Sequence, residues 1–206
     1  MAKGYLALTR EIDGFRQQFE QISAEGDALV SALTDAQFNW RPSPEVWSVA
    51  QVFEHLNVTA RVYLPRLDEG IGDAIRRGLY GEGPFSYGWL GRLFVSITKP
   101  PPRFRTRAPR VFHPPPSRSR QEIMAAFRAY QVQYVDRLRQ ANGLDLARAR
   151  VSSPAARWLR FSLGSGFALM VAHEQRHLWQ IRRFLERADF PREPESQDRN
   201  GVGGHF

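Results

Sequence analysis

Apolar residues recur at helical spacing along four stretches of the chain, three or four positions apart, with polar residues between them. In chain order these stretches cover Glu11 to Leu33, Ser48 to Leu67 or beyond, Ser119 to Asn142, and Gly166 to Ala188. No pair of segments alternates convincingly between apolar and polar residues, as paired strands would. The pattern therefore predicts an all-α protein, and four long helices favour a four-helix bundle.

Local signals mark the start of two of these helices. Ser48 is followed three positions later by Gln51, and Ser119 by Glu122, and both pairs match the capping box of a helix N-terminus. Pro65 lies inside the second helix and predicts a kink, because proline has no main-chain N–H to donate. We therefore expect the second and third helices to begin at these serines.

Residues 83–118 interrupt the helical pattern between the second and third helices. The stretch from Gly81 to Pro116 holds eight of the fourteen prolines, which predicts a long irregular excursion with a short helix from Trp89 to Ile97. Connections of this length are typical of functional lips or flexible segments. We expect residues 1–190 to form one domain that includes the excursion, and residues 191–206 to form a flexible tail.

Composition limits both the chemistry and the location of the protein. At 206 residues the chain can bury one hydrophobic core, and it has no cysteine. Disulfides, thiolate metal ligands and cysteine nucleophiles are thereby excluded, and any thiol chemistry needs a thiol from a cofactor or substrate. The sequence shows no signal-peptide core and no apolar run long enough to span a bilayer, so we expect a cytoplasmic protein without a membrane partner.

The net charge of +8 comes from one segment of the chain. From Gly83 to Gln121 there is no acidic residue, and the eight basic residues are Arg92, Lys99, Arg103, Arg105, Arg107, Arg110, Arg118 and Arg120. Such a segment can be a solvated loop, or it can bind an anionic small-molecule substrate. Nucleic acid is a disfavoured but open alternative, since the segment carries no recognisable nucleic-acid motif.

Three histidines carry the candidate chemistry. His173 and His177 are four residues apart on the last helix, so their imidazoles share one face. His55 lies about two turns into the second helix, and from a facing helix it would complete a three-nitrogen metal site with an open position. Buried, hydrogen-bonded core histidines are the alternative interpretation.

The ligand rings of such a site need partners for their other nitrogens. Gln51 and Thr59 lie one turn on either side of His55, and Gln180 lies one turn beyond His177. These three side chains are therefore the candidate partners, although ordinary helix polarity would also account for them.

The stretch from His173 to His177 also matches the H-E-x-x-H pattern of zinc peptidases, in which the glutamate, here Glu174, is the general base. The chain offers no sheet edge to hold an extended peptide. A metallohydrolase or peptidase stays an alternative function, and so does a non-enzymatic stress-response binding module.

The chain resembles the DinB/YfiT-like family in a set of short motifs that occur in the family's order. They are Trp40-Arg41-Pro42, Trp47-Ser48, His55-Leu56, and the H-x-x-x-H-x-x-Q pattern of His173, His177 and Gln180. The resemblance implies a four-helix bundle with an unusual crossover, and zinc or nickel on the three histidines. It also implies a metal-dependent S-transferase or isomerase that uses a low-molecular-weight thiol such as bacillithiol or mycothiol.

Two further points qualify what the resemblance implies. Bundles of this type often dimerise, so a homodimer is an expectation. The long basic excursion departs from the family pattern and leaves the substrate class open.

Overall fold

The computed structural model of the protein describes residues 7–101, 110–114, 119–154, 156 and 158–192. Within these residues most of the chain is helical. The elements are, in chain order, α1 (Arg10–Ser31), α2 (Asp35–Asn39), α3 (Val49–Arg76), α4 (Trp89–Thr98), a 3₁₀ turn (Arg110–Phe112), α5 (Arg120–Gln140), β1 (Arg150–Ser152), β2 (Arg160–Ser162) and α6 (Leu163–Leu185).

The four long helices α1, α3, α5 and α6 form a bundle, which confirms the predicted fold class. Helices α5 and α6 each pack against both α1 and α3, so α1 and α3 occupy opposite corners. In the described part of the long connection between α3 and α5, helix α4 packs on α6 and the 3₁₀ turn contacts α3. This arrangement sets α3 beside α6, the two helices that carry the three candidate histidines.

The predicted helix starts agree with the structure. The Ser48–Gln51 and Ser119–Glu122 pairs both form complete capping boxes at the starts of α3 and α5. Helix α3 continues through Pro65 and ends only at Arg76. The short helix predicted inside the excursion is present as α4.

The expectation of no strand pair was wrong, because β1 and β2 form a small antiparallel hairpin in which Val151 faces Phe161. Each strand has three residues, too few for an alternating pattern to be detected. The hairpin packs closely on α3 at Gly70, where a Cβ atom would lie 2.7 Å from the carbonyl oxygen of Arg150. The five-residue helix α2 was also not predicted, since it is shorter than the window that a helical period needs.

Two expectations about the chain fall partly or wholly outside what the structure describes. Most of the tail predicted for 191–206 lies beyond residue 192, and residues 102–109 and 115–118 of the excursion are likewise outside the described ranges. Across the described ranges no helix is long and apolar enough to cross a membrane.

Aromatic rings fill the bundle between α1, α3 and α5. Phe19 of α1 stacks on Tyr134 of α5 with ring centroids 4.6 Å apart, and Phe53 of α3 meets Phe127 of α5 edge-on at 5.0 Å. Gly26 of α1 makes room for this packing, because a Cβ atom there would lie 2.6 Å from Cε1 of Phe127.

The two glycines of α1 should therefore respond oppositely to alanine. Gly26→Ala should lower the free energy of unfolding by about 1–3 kcal/mol, because overpacking against Phe127 outweighs the gain in helix propensity. Gly14→Ala should raise it by up to about 1 kcal/mol, because no atom lies within 4 Å of the added methyl. Urea unfolding of both variants measures the difference, and equal effects would contradict this account of Gly26.

Candidate metal centre

The packing of α3 on α6 brings His55, His173 and His177 together around one point. Nε2 of His173 lies 3.3 Å from Nε2 of His55 and 3.2 Å from Nε2 of His177. Among the residues that the structure describes, these three form the only cluster of histidine and carboxylate groups close enough to share an ion, with ligand atoms all within 4.8 Å of one another. The three side chains singled out in the sequence are thus neighbours in space.

The spacing of the nitrogens fits a single metal ion. In a tetrahedral site with zinc–nitrogen bonds of about 2.0–2.1 Å, neighbouring ligand nitrogens lie about 3.3 Å apart. The two Nε2–Nε2 distances around His173 match this edge. Three imidazoles without a fourth protein ligand are the donor set of a catalytic site, which keeps one position open.

A main-chain carbonyl from the excursion fixes the orientation of His55. Nδ1 of His55 lies 2.7 Å from the carbonyl oxygen of Phe112, in the 3₁₀ turn. Because a carbonyl can only accept, Nδ1 carries the hydrogen of the neutral ring and the lone pair of Nε2 points at the other two histidines. The ring of Trp47 packs on the ring of His55, with centroids 5.1 Å apart.

Of the three side chains predicted to support the ligands, Gln180 has a polar contact with a ligand ring. Gln51 closes the capping box with Ser48, and the hydroxyl of Thr59 donates to the main-chain carbonyl oxygen of His55 at 2.8 Å. Gln180 lies beside His177, where its polar contact works to raise the pKa of that ring. The contact lacks the geometry of a hydrogen bond to Nδ1, which has no partner in the structure, and the same is true of Nδ1 of His173.

The protein holds all three rings in the neutral form that a metal needs. Burial in the bundle lowers the pKa of His55, lowers that of His173 to about 3, and lowers that of His177 well below its usual value. His55 is only 3% exposed, whereas His173 and His177 keep part of their surface accessible to solvent. The group is therefore neutral, and two of its three residues are only half-buried.

Glu174 points away from the three histidines. Its side chain is 2% exposed and interacts with Gln131 and Tyr134 of α5. Burial raises the pKa of Glu174 to about 8. The carboxylate that the H-E-x-x-H interpretation places beside the metal is thus absent from the cluster.

Comparison with known families identifies the bundle. The model of the DinB superfamily matches residues 18–181, a span that contains all three histidines. The chain belongs to the DinB superfamily. No curated protein matches the chain significantly.

A solved structure supports the same fold for this DinB-superfamily protein. YfiT from Bacillus subtilis, described as a probable metal-dependent hydrolase with an unusual four-helix bundle topology, superimposes with a TM-score of 0.57 at 15% sequence identity. The alignment covers 89% of this chain and 91% of YfiT. At this identity the likeness establishes the shared architecture and leaves the activity open.

The metal affinity of this DinB-superfamily protein should depend less on pH than the metal affinity of a site made of exposed histidines. Protons compete with the metal for a ring nitrogen only when the pH is near or below the pKa of that ring. Burial moves all three pKa values below 6.5. The apparent zinc affinity should therefore change little from about pH 8 to about pH 6 and fall at lower pH. A chelator-competition titration measures it, with a synthetic peptide of residues 163–185 as the control whose rings titrate normally.

A zinc affinity that falls as steeply with pH as that of the peptide would contradict this prediction.

The same lowered pKa values predict how the stability of the metal-free protein depends on pH. Below pH 6.5 the unfolded chain binds more protons at these rings than the folded one, so the free energy of unfolding should fall as the pH is lowered.

Proposed function

We propose that this protein is a metal-dependent enzyme whose divalent metal, zinc or nickel, is held by His55, His173 and His177. The convergence of three neutral Nε2 atoms on one point carries the proposal. A divalent metal bound there would supply Lewis-acid chemistry and would lower the pKa of a water or thiol at its open position.

The chain's own residues prepare the site for that role. The carbonyl of Phe112 holds His55 in the tautomer that presents Nε2, and Trp47 packs on the ring to limit its rotation. Burial lowers the pKa of His173 and of His177, so both rings are uncharged at neutral pH. His173 and His177 are half-buried residues, whereas His55 is fully buried.

Within this proposal we favour transfer or isomerisation with a small thiol over hydrolysis. The chain has no cysteine, so the thiol would arrive as a co-substrate. Hydrolysis by activated water usually relies on a carboxylate base near the metal, and Glu174 faces α5 instead. Hydrolysis stays the second candidate because YfiT, which shares the fold, is described as a probable metal-dependent hydrolase.

The test begins with the metal content of protein purified without chelator, followed by uptake of zinc and nickel. The loaded protein is then given an electrophile with and without a low-molecular-weight thiol. Consumption of the electrophile only when thiol and metal are both present supports the transferase. Thiol-independent hydrolysis of an ester or amide supports the second candidate, and a failure to take up either metal would overturn both.

A further inference from the structure

Helix α4 presents an apolar stripe to solvent. Trp89, Leu93 and Ile97 follow one another at four-residue spacing and therefore share one face. Their exposed fractions are 71%, 48% and 37%. A run of large exposed apolar side chains on one helix face indicates an interaction surface rather than scattered surface residues.

The opposite face of α4 is fixed against the bundle, so the stripe cannot simply turn inward. Gly91 approaches Ser165 of α6 so closely that a Cβ atom would clash with its hydroxyl, and the ring of Phe94 meets Phe161 of β2 at 5.4 Å. Helix α4 therefore lies on the bundle with its stripe directed outward.

Positive charge borders the stripe. Arg92 and Lys99 lie on one flank of α4, and with Ser96 and Ser165 they line a cavity of about 270 Å³ between α4 and α6. Two cations with two hydroxyls make a suitable recess for a phosphate group. In the sequence, no acidic residue occurs between Gly83 and Gln121 to offset these charges.

We propose that α4 docks flat on an anionic phospholipid bilayer. Its stripe would enter the boundary between headgroups and acyl chains, where tryptophan is favoured, and Arg92 and Lys99 would contact phosphate groups. This proposal differs from the expectation, drawn from the sequence, that the protein has no membrane partner. That expectation rested only on the absence of a segment able to span a bilayer. The proposal is independent of the metal site and of the enzymatic function.

Other occupants of the stripe fit its chemistry less well. A second copy of the chain paired through α4 would bring the basic flanks of two helices together without acidic partners on that helix. Nucleic acid would satisfy the positive charge and leave the three apolar side chains in water. An anionic bilayer complements the apolar stripe and the basic flank together.

Co-sedimentation of the full-length protein with vesicles tests the proposal. Binding is expected to vesicles of phosphatidylglycerol mixed equally with phosphatidylcholine, and to be at least about tenfold weaker with phosphatidylcholine alone. Leu93→Glu should reduce binding to the anionic vesicles by at least about tenfold. Val132→Glu is the matched control, because Val132 is an exposed apolar residue of α5, 60% exposed, and the charge change is identical.

Circular dichroism shows that each variant is folded. Equal loss of binding in the Leu93 and Val132 variants, or equal binding to neutral and anionic vesicles, would overturn the proposal. A third result would also overturn the proposal. In it, sedimentation shows a dimeric parent protein and a monomeric Leu93→Glu variant, and vesicles bind neither protein. The stripe would then be a contact between two copies of the chain. Binding to duplex DNA in preference to the vesicles would also overturn it.

Discussion

Replacing His173 by alanine should weaken zinc or nickel binding by at least about 100-fold, because even losing a hydrogen bond to a metal ligand costs about 10–100-fold. His173 is the central member of the group, and its Nε2 is 3.3 Å and 3.2 Å from those of His55 and His177. Without it two nitrogens remain, and they cannot compete with water for a divalent ion as three can. Isothermal titration with each metal measures the change.

His113→Ala is the matched control for this prediction. His113 is close to the centre, with its ring 6.3 Å from that of Trp47, but it is outside the group of three. Its replacement should leave metal affinity within a few-fold of the parent, which is a small fraction of the loss expected at His173. Equal losses in both variants would mean that the centre had been assigned to the wrong histidines.

Metal binding should also show in the stability of the protein. A ligand that binds only the folded chain, at a free concentration L, raises the free energy of unfolding by RT ln(1 + L/Kd), which is about 2.7 kcal/mol when L is at a hundredfold excess over Kd. Added zinc should therefore raise the melting temperature of the parent and of His113→Ala, and should leave that of His173→Ala unchanged. An equal rise in the melting temperature of all three proteins would mean that zinc binds at a different site.

Sequence reasoning succeeded where the information is local. The capping boxes at Ser48 and Ser119 involve residues three positions apart, so the chain itself contains everything that defines them. The four-residue spacing of His173 and His177 is likewise a property of one helix. That His55 faces them depends on how α3 packs on α6, and this was indicated by the family resemblance more than by any pattern.

The features that were missed depend on long-range packing or on the main chain. The partner of His55 is the carbonyl oxygen of Phe112, a group that every residue has, so no residue type could reveal it. Glu174 is next to a metal-ligand candidate in sequence, yet its position on the helix turns it toward α5, where burial governs its pKa. A helical-wheel comparison of Glu174 with His173 and His177 is the signal that could have separated them.

The structure describes the side chains of three basic residues between Gly83 and Gln121, and they have different roles. Arg92 and Lys99 border the stripe of α4, whereas Arg120 is engaged in the fold itself. Its guanidinium donates to the carbonyl oxygens of Val30 and Leu33, just where α1 ends. A count of charges along the sequence does not distinguish Arg120 from Arg92 and Lys99. The packing of α5 on α1 does, because it buries part of the Arg120 side chain at the end of α1.

Arg120→Ala should lower the free energy of unfolding by about 2–4 kcal/mol, since hydrogen bonds to charged groups contribute about 1.5–3 kcal/mol each. The last turn of α1 has no basic residue of its own, so Arg120 supplies the cation that a helix C-terminus favours. Its guanidinium also lies 5.6 Å from the ring centroid of Phe38. Removing it takes the side-chain donor from both carbonyl oxygens at a partly buried junction, and the carbonyl of Val30 keeps only its main-chain donors.

Arg128→Ala is the control variant, because it shows how much stability is lost when a different arginine of the same helix is removed. Arg128 also reaches α1, where it pairs with Asp27, but its side chain is 53% exposed, and pairs of this kind contribute about 0–1 kcal/mol. Arg120→Lys should recover only part of the stability, because an ammonium group cannot bond both carbonyls with the planar fork of a guanidinium. If urea unfolding showed Arg120→Ala to be no more harmful than Arg128→Ala, the junction between α1 and α5 would not depend on these hydrogen bonds, and Arg120 would belong with the solvated charges of the excursion.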